Sequence, residues 1–201
     1  MISKSWVLRA LFVSFFLFTS CATNIPTPTI EQRESVITWD PNTSHGEWAD
    51  CSTDIGDHVC NLKFLDQNGD MWELYDHYGE VIVLDFSTMW CGVCQYAASK
   101  VQAMQDLYGP NGFTWVTVLV QDSYGNPVSI ENAKLWATIF KIETSPVLAA
   151  DNKIAQPGID GSFSITTLPT FVIINRELVI AYRLDSWNES RLIDQIEDTL
   201  D

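Results

Sequence analysis

The stretch "VIVLDFSTMWCGVC", residues 81–94, joins a continuous apolar run to two cysteines three positions apart. Such a run of β-branched and large apolar residues is typical of a central strand buried on both faces of a sheet. From Cys91 to Leu107, apolar and small residues recur at steps of three and four, which predicts a helix. Cysteines placed where a strand leads into a helix indicate a redox couple, half of a metal site or a structural disulfide.

The rest of the chain continues to alternate between strand and helix patterns. We expect a strand at 113–122, a helix opened by Ser129, a short strand at 145–151, two strands around a tight turn in 170–185 and a last helix capped by Asn188. Upstream, two short strand-like runs flank Asn68-Gly69, which predicts a hairpin. This alternation predicts an α/β fold with a sheet covered on both faces.

The start of the predicted helix suits redox chemistry. A thiolate is the nucleophile in disulfide exchange, and unpaired backbone N–H groups and the helix dipole favour a negative sulfur at Cys91. Cys94 lies one turn further along on the same helix face, close enough to form a disulfide and less exposed. We therefore expect Cys91 to attack a substrate disulfide and Cys94 to resolve the mixed disulfide.

Asp85 places a carboxyl group inside the apolar strand. Burial disfavours the charged form, so the pKa of such a group rises unless it is paired. Below Cys94, Asp85 would accept the proton of the resolving thiol. The alternative interpretation is a carboxylate that is salt-bridged or lies at a sheet edge.

The first twenty residues have the layout of an export signal. Lys4 and Arg9 precede an apolar run at 10–19 that is too short to span a bilayer. The stretch "LFTSC" resembles a bacterial lipobox, which implies lipidation of Cys21; cleavage after Ala22 would instead give a soluble secreted protein. We expect three parts: a signal peptide at 1–20, a lipid-anchored flexible tether at 21–50 and the folded domain at 51–201.

Two sequence motifs resemble the thioredoxin family. The stretch "VLDFSTMWCGVCQ" is similar to its active site, with Asp85 as the buried acid and Trp90 before the first cysteine. The stretch "LPTFVII" resembles its cis-proline strand, with Pro169 facing the disulfide. The resemblance covers roughly residues 57–200. With the hairpin, the extra helix and the export signal, it points to the extracytoplasmic TlpA-like redoxins.

The resemblance implies a thioredoxin fold: a central mixed β-sheet flanked by helices, with an N-terminal β-hairpin extension. It implies thiol-disulfide exchange with extracytoplasmic protein thiols through the Cys-Gly-Val-Cys couple, and an upstream redox partner. Trp90, Leu168 and Pro169 would contact the substrate, the backbone of Leu168 pairing with an extended peptide beside a cis peptide bond. We expect a monomer that faces the periplasm from the membrane, without cofactor or metal.

Cys51 and Cys60 form a second pair of cysteines. Exported proteins meet oxidising conditions, so a structural disulfide closing this short loop is expected. The alternatives are a second redox relay, or a metal cluster that includes His45 and His58.

Other functions stay open at this point. A net charge of −15 with only eleven Lys and Arg argues against binding nucleic acid. Thr88, three residues before Cys91, resembles half of a peroxiredoxin site, although Leu84 replaces the preceding proline, so a thiol peroxidase is one alternative. Metal binding through the two active-site cysteines and a structural domain with a fixed disulfide are the others.

Overall fold

A computed structural model describes Trp48, residues 51–158 and residues 161–201. The expected export signal, the lipidation of Cys21 and nearly all of the expected tether lie outside these described residues. Within them, no helix is both long enough and apolar enough to cross a membrane.

The described residues contain seven strands and three α-helices. In chain order these are β1 (Lys63–Leu65), β2 (Met71–Glu73), β3 (Val81–Thr88), α1 (Gly92–Tyr108), β4 (Phe113–Gln121), α2 (Ile130–Phe140), β5 (Val147–Ala149), β6 (Thr170–Ile174), β7 (Ile180–Leu184) and α3 (Glu189–Leu200). Strands β1 and β2 form a separate antiparallel hairpin, and the other five form one sheet in the order β5-β4-β3-β6-β7. The predicted α/β fold with a central mixed sheet and an N-terminal hairpin is confirmed.

Strand β3 lies at the centre of the sheet. All eight of its residues are buried, and it pairs in parallel with β4 and antiparallel with β6. Because side chains alternate along a strand, Val83 and Asp85 do not share a face with Leu84. Val83 packs with the helices, so Asp85 lies on the helical face, whereas Leu84 packs on the opposite face.

All three α-helices cover the same face of the sheet. Their buried side chains form one apolar cluster, which includes Ala97, Trp136 and Leu192. The crossovers β3-α1-β4 and β4-α2-β5 step in the same direction across the sheet, and right-handed crossovers in one direction place both helices on one side. The opposite face is covered by the hairpin and neighbouring segments through Trp72, Tyr75 and Phe163. The sheet is thus covered on both faces as expected, but the second layer contains only short 3-10 helices, Leu74–His77 and Asn152–Ala155, and no α-helix among the described residues.

The hairpin docks on the edge of the sheet through one buried amide. Gln67 Nε2 donates to the carbonyl of Ser145 at 3.1 Å, and the backbone N–H of Val147 donates to Gln67 Oε1 at 2.7 Å. These bonds use polar groups beside and within β5, the edge strand. An edge covered in this way is less open to pairing with another chain.

A disulfide joins Cys51 and Cys60, whose Cα atoms lie 4.9 Å apart. Next to this disulfide, the ring of His58 stacks on Trp48 with 4.2 Å between the ring centroids, and Trp48 meets Tyr75 edge-on. The bridge therefore closes a short loop that packs against the domain. No group of three or more potential metal-binding side chains occurs in the described part of the chain, and His45 lies outside it.

Removing this disulfide tests the predicted structural role. Replacing Cys51 and Cys60 together by serine is expected to lower the free energy of unfolding by about 2–3 kcal/mol, because the unfolded chain regains the freedom of the loop. Urea unfolding of the oxidised proteins measures this difference. Exchange activity should stay unchanged, whereas lost activity with unchanged stability would favour the second redox relay.

Candidate active site

Cys91 and Cys94 meet in a disulfide just beyond the carboxyl end of β3, and their Cα atoms lie 5.2 Å apart. Cys91 is the N-cap of α1, and Cys94 lies in its first turn. Cys94 is completely buried, whereas 8% of Cys91 is exposed. The more accessible of the two cysteines is therefore the one at the helix N-terminus.

The helix N-terminus favours a negative sulfur at Cys91. The backbone N–H of Cys94 donates to Cys91 Sγ over 3.2 Å, and the first turn of α1 carries no acidic residue. A hydrogen bond from the backbone and the positive end of the helix dipole both stabilise a thiolate relative to a thiol. This environment suits a nucleophile better than a passive structural cysteine.

Asp85 is fully buried on the central strand, on the face that carries the helices. Burial raises its pKa from 3.8 to about 7, against the opposing effects of the Ser87 hydroxyl and the Trp115 indole N–H. Ser87 Oγ donates to Asp85 Oδ1 at 2.7 Å. No charged group contributes to this pKa, so the alternative of a salt-bridged or edge carboxylate does not fit the structure.

Trp90 lies beside the disulfide and is about half exposed. Its indole N–H donates to Gln121 Oε1 at 2.9 Å, and Gln95 Nε2 donates to the carbonyl of Met89 at 2.8 Å. These two bonds hold the loop before Cys91. Gln121 was not among the predicted site residues, although it ends the strand parallel to β3, and parallel strands end at one edge of a sheet.

Pro169 precedes β6, and the peptide bond from Leu168 to Pro169 is cis. Thr170, the next residue, pairs with Phe86 near the carboxyl end of β3. The structure therefore brings the proline loop to the edge of the sheet from which the chain enters the cysteine motif. The side chain of Leu168 is partly exposed and packs against the apolar clusters of both faces.

Aromatic and apolar side chains surround this edge. Trp90, Val93 and Tyr96 are each about half exposed. Trp187, in the loop before α3, meets Tyr96 edge-on at 5.9 Å and the buried Phe171 at 5.7 Å between ring centroids. Exposed apolar side chains next to a reactive group are a common feature of protein-binding surfaces.

A cavity of about 200 Å³ lies beside Gln121, the residue that accepts the hydrogen bond of Trp90. Its wall includes Thr88 and Leu168, together with side chains of the segments 152–157 and 165–166, and none of the lining residues is charged. These segments show no helix or strand periodicity in the sequence and were not among the predicted site residues.

Of the features behind the peroxidase alternative, Thr88 lies in the wall of this cavity, whereas Arg176 and Arg183 bond elsewhere. Thr88 is buried, and its hydroxyl lacks a hydrogen-bond partner among the described residues. Arg176 and Arg183 donate to backbone carbonyls elsewhere, those of Gly79 and Phe163. Neither arginine is thus placed with the two cysteines.

The same fold occurs in solved structures of several bacterial proteins. A thiol:disulfide interchange protein DsbE from Chlorobium tepidum is 23% identical, with a TM-score of 0.61 over 74% of this chain and 99% of that one. The thioredoxin domain of a thiol-disulfide oxidoreductase from Bacteroides vulgatus is 16% identical, with the same TM-score and coverage. A DsbF homologue from Corynebacterium diphtheriae is 20% identical, with a TM-score of 0.58 over 71% of this chain and 86% of that one.

These similarities confirm the predicted thioredoxin fold. No curated protein sequence matches the chain. Residues 55–183, more than half of the chain, match the AhpC/TSA family of redoxins. The chain therefore belongs to the AhpC/TSA family.

Proposed function

We propose that the protein is a thiol-disulfide oxidoreductase that exchanges disulfides with protein thiols through Cys91 and Cys94. The observation that carries this proposal is the asymmetric pair: a cysteine at a helix N-terminus that keeps 8% of its surface exposed, bonded to a cysteine that is completely buried. Family membership and the oxidoreductases that share the fold support the same activity.

The reaction consists of two exchange steps. In the reduced protein, the thiolate of Cys91 attacks one sulfur of a substrate disulfide; that bond breaks, and the other substrate sulfur leaves as a thiolate. Cys94 then loses its proton and attacks Cys91, which releases the second substrate thiol and leaves the protein disulfide. Two electrons pass to the substrate, and the reverse sequence oxidises a substrate dithiol.

Asp85 takes the proton of Cys94 in the second step. Its position on the helical face and its pKa of about 7 support this role, because a base titrating near neutral pH transfers protons efficiently in both directions. The substrate peptide lies against Trp90, Leu168 and Pro169. Exposed apolar side chains at this edge support binding of an unfolded or extended segment.

We place this activity outside the cytoplasm. The signal pattern at 1–20, the lipobox-like stretch before Cys21 and the disulfide between Cys51 and Cys60 support an exported lipoprotein whose tether at 21–50 holds the domain at 51–201 near a membrane. An upstream partner resets the couple after each turnover. A freely soluble secreted form is the alternative.

Stoichiometric exchange tests the proposed activity. The reduced full chain, mixed with insulin, is expected to form the Cys91–Cys94 disulfide while insulin gains two thiols, as counted by thiol labelling and mass spectrometry. Hydrogen peroxide offered in parallel should react far more slowly. Rapid peroxide consumption with sulfenic acid at Cys91 and no insulin thiols would instead establish the thiol peroxidase.

A further inference from the structure

Ser87 is the only side chain in the described structure that donates a hydrogen bond of normal geometry to Asp85. The two residues lie two positions apart on β3, so their side chains share the helical face of the sheet. Both are completely buried. A serine hydroxyl has a single proton, and here that proton is given to Asp85 Oδ1 over 2.7 Å.

This bond distinguishes the two oxygens of the carboxyl group. Oδ1 accepts from Ser87, whereas Oδ2 is buried without a hydrogen-bond partner among the described residues. The Trp115 indole N–H favours the charged form but lies outside normal hydrogen-bond geometry. The oxygen left to take up a proton is therefore Oδ2.

In the described structure, no charged group contributes to the pKa of Asp85. On the helical face, the strand positions opposite Asp85 are Thr117 and Phe171. The titratable side chains of the apolar cluster on this face are Cys91, Cys94 and Tyr108, with Tyr182 packed against it. Hydrogen bonds to an ionised acceptor are stronger than those to a neutral one, so the Ser87 bond stabilises the carboxylate more than the protonated acid.

We propose that Ser87 is a positioning residue for the resolving step: its hydroxyl fixes the Asp85 carboxylate so that Oδ2 takes the proton of Cys94. This inference rests on the proposed function, because it requires Asp85 to act as the proton acceptor. Without the hydroxyl, the Ser87 hydrogen bond no longer counteracts the effect of burial, so the pKa of Asp85 rises further. Asp85 then acts as a base only at higher pH.

The resolving step can be measured alone with 5,5′-dithiobis(2-nitrobenzoate). In the reduced full chain, Cys91 attacks this disulfide and releases one coloured thiolate, and Cys94 then releases the second. The rate of the second release is recorded from pH 5 to pH 9 in wild type, Ser87→Ala, Ser87→Thr and Asp85→Asn. Thr117→Val is the matched control, because it removes a buried hydroxyl on the same face that has no hydrogen-bond partner among the described residues.

Ser87→Ala is expected to move the pH midpoint of the second release upward by about one pH unit, which slows the release about fivefold at pH 7 and about tenfold at lower pH. Ser87→Thr should restore the wild-type midpoint, and Thr117→Val should not change it. In the Asp85→Asn background, Ser87→Ala should have no further effect on the pH profile. Infrared titration of the Asp85 carboxyl should show the same upward shift independently of turnover.

Two outcomes separate this inference from the function on which it rests. If Asp85→Asn removes the pH step but Ser87→Ala leaves the midpoint unchanged, the role of Ser87 is wrong and that of Asp85 stands. If Asp85→Asn itself leaves the profile unchanged, the proton-accepting role of Asp85 fails, and the inference fails with it.

Discussion

Cys91→Ser is expected to abolish disulfide exchange, lowering the rate with a protein disulfide by about 10³-fold or more. A serine hydroxyl does not ionise near neutral pH, so no nucleophile remains at the helix N-terminus. Cys94 cannot take over, because it is completely buried, whereas Cys91 keeps part of its surface exposed to solvent. The initial rate of insulin reduction by the full chain, with dithiothreitol as the final reductant, measures the loss.

Cys94→Ser should fail at the second step instead. Cys91 still attacks, but no resolving sulfur follows, so a covalent complex with the substrate accumulates and is visible on a non-reducing gel. The double replacement of Cys51 and Cys60 is the matched control and should turn over normally. If Cys91→Ser kept more than a tenth of the wild-type rate, the nucleophile would have to be sought in the other cysteine pair.

Local patterns were sufficient to predict the central strand and the pairing of Cys91 with Cys94. A strand buried on both faces needs a continuous apolar run, and residues 81–86 provide one that only Asp85 interrupts. The spacing of Cys91 and Cys94 then places both sulfurs in one helix turn, as the structure shows. Such features depend on the chain within a few residues of the motif, where periodicity and capping determine the backbone.

Features that depend on contacts between distant segments could not be predicted in the same way. The arrangement of all helices on one face follows from strand order, which no local pattern encodes. Gln121 lies 31 residues after Trp90 and becomes its partner only when β3 and β4 align. Trp187 reaches the site only through the packing of its loop against Tyr96 and Phe171.

The Ser87 bond lies between these two cases. Its two partners are only two residues apart on one strand, so their common face is predictable from the alternation of side chains. The apolar run predicts that Asp85 is buried, but it does not predict the complete burial of Ser87, which makes the bond important for the charge of Asp85. The same burial that tunes Asp85 near neutral pH also makes its charged form costly to the folded protein.

Asp85→Asn is therefore expected to stabilise the oxidised protein increasingly as the pH rises. The pKa of Asp85 is raised from 3.8 in the unfolded chain to about 7 in the folded one. Between these values the folded wild type keeps a proton that the unfolded chain has lost, so wild-type stability falls with pH across this window. The variant carries no such group. At 1.36 kcal/mol per pH unit, its advantage should grow by about 4 kcal/mol from pH 3.5 to pH 8.

Urea unfolding of both oxidised proteins at half-unit pH steps measures this difference. The buried amide of asparagine adds an unfavourable offset, because its N–H groups need partners, but that offset does not depend on pH. Asp194→Asn, on the exposed side of α3, removes the same charge from the surface and is the matched control. A difference between wild type and Asp85→Asn that stays constant from pH 4 to pH 8 would mean that folding leaves the acidity of Asp85 unchanged. Asp85 would then remain ionised when Cys94 must lose its proton, as an exposed carboxylate does, and burial would give it no advantage as the base.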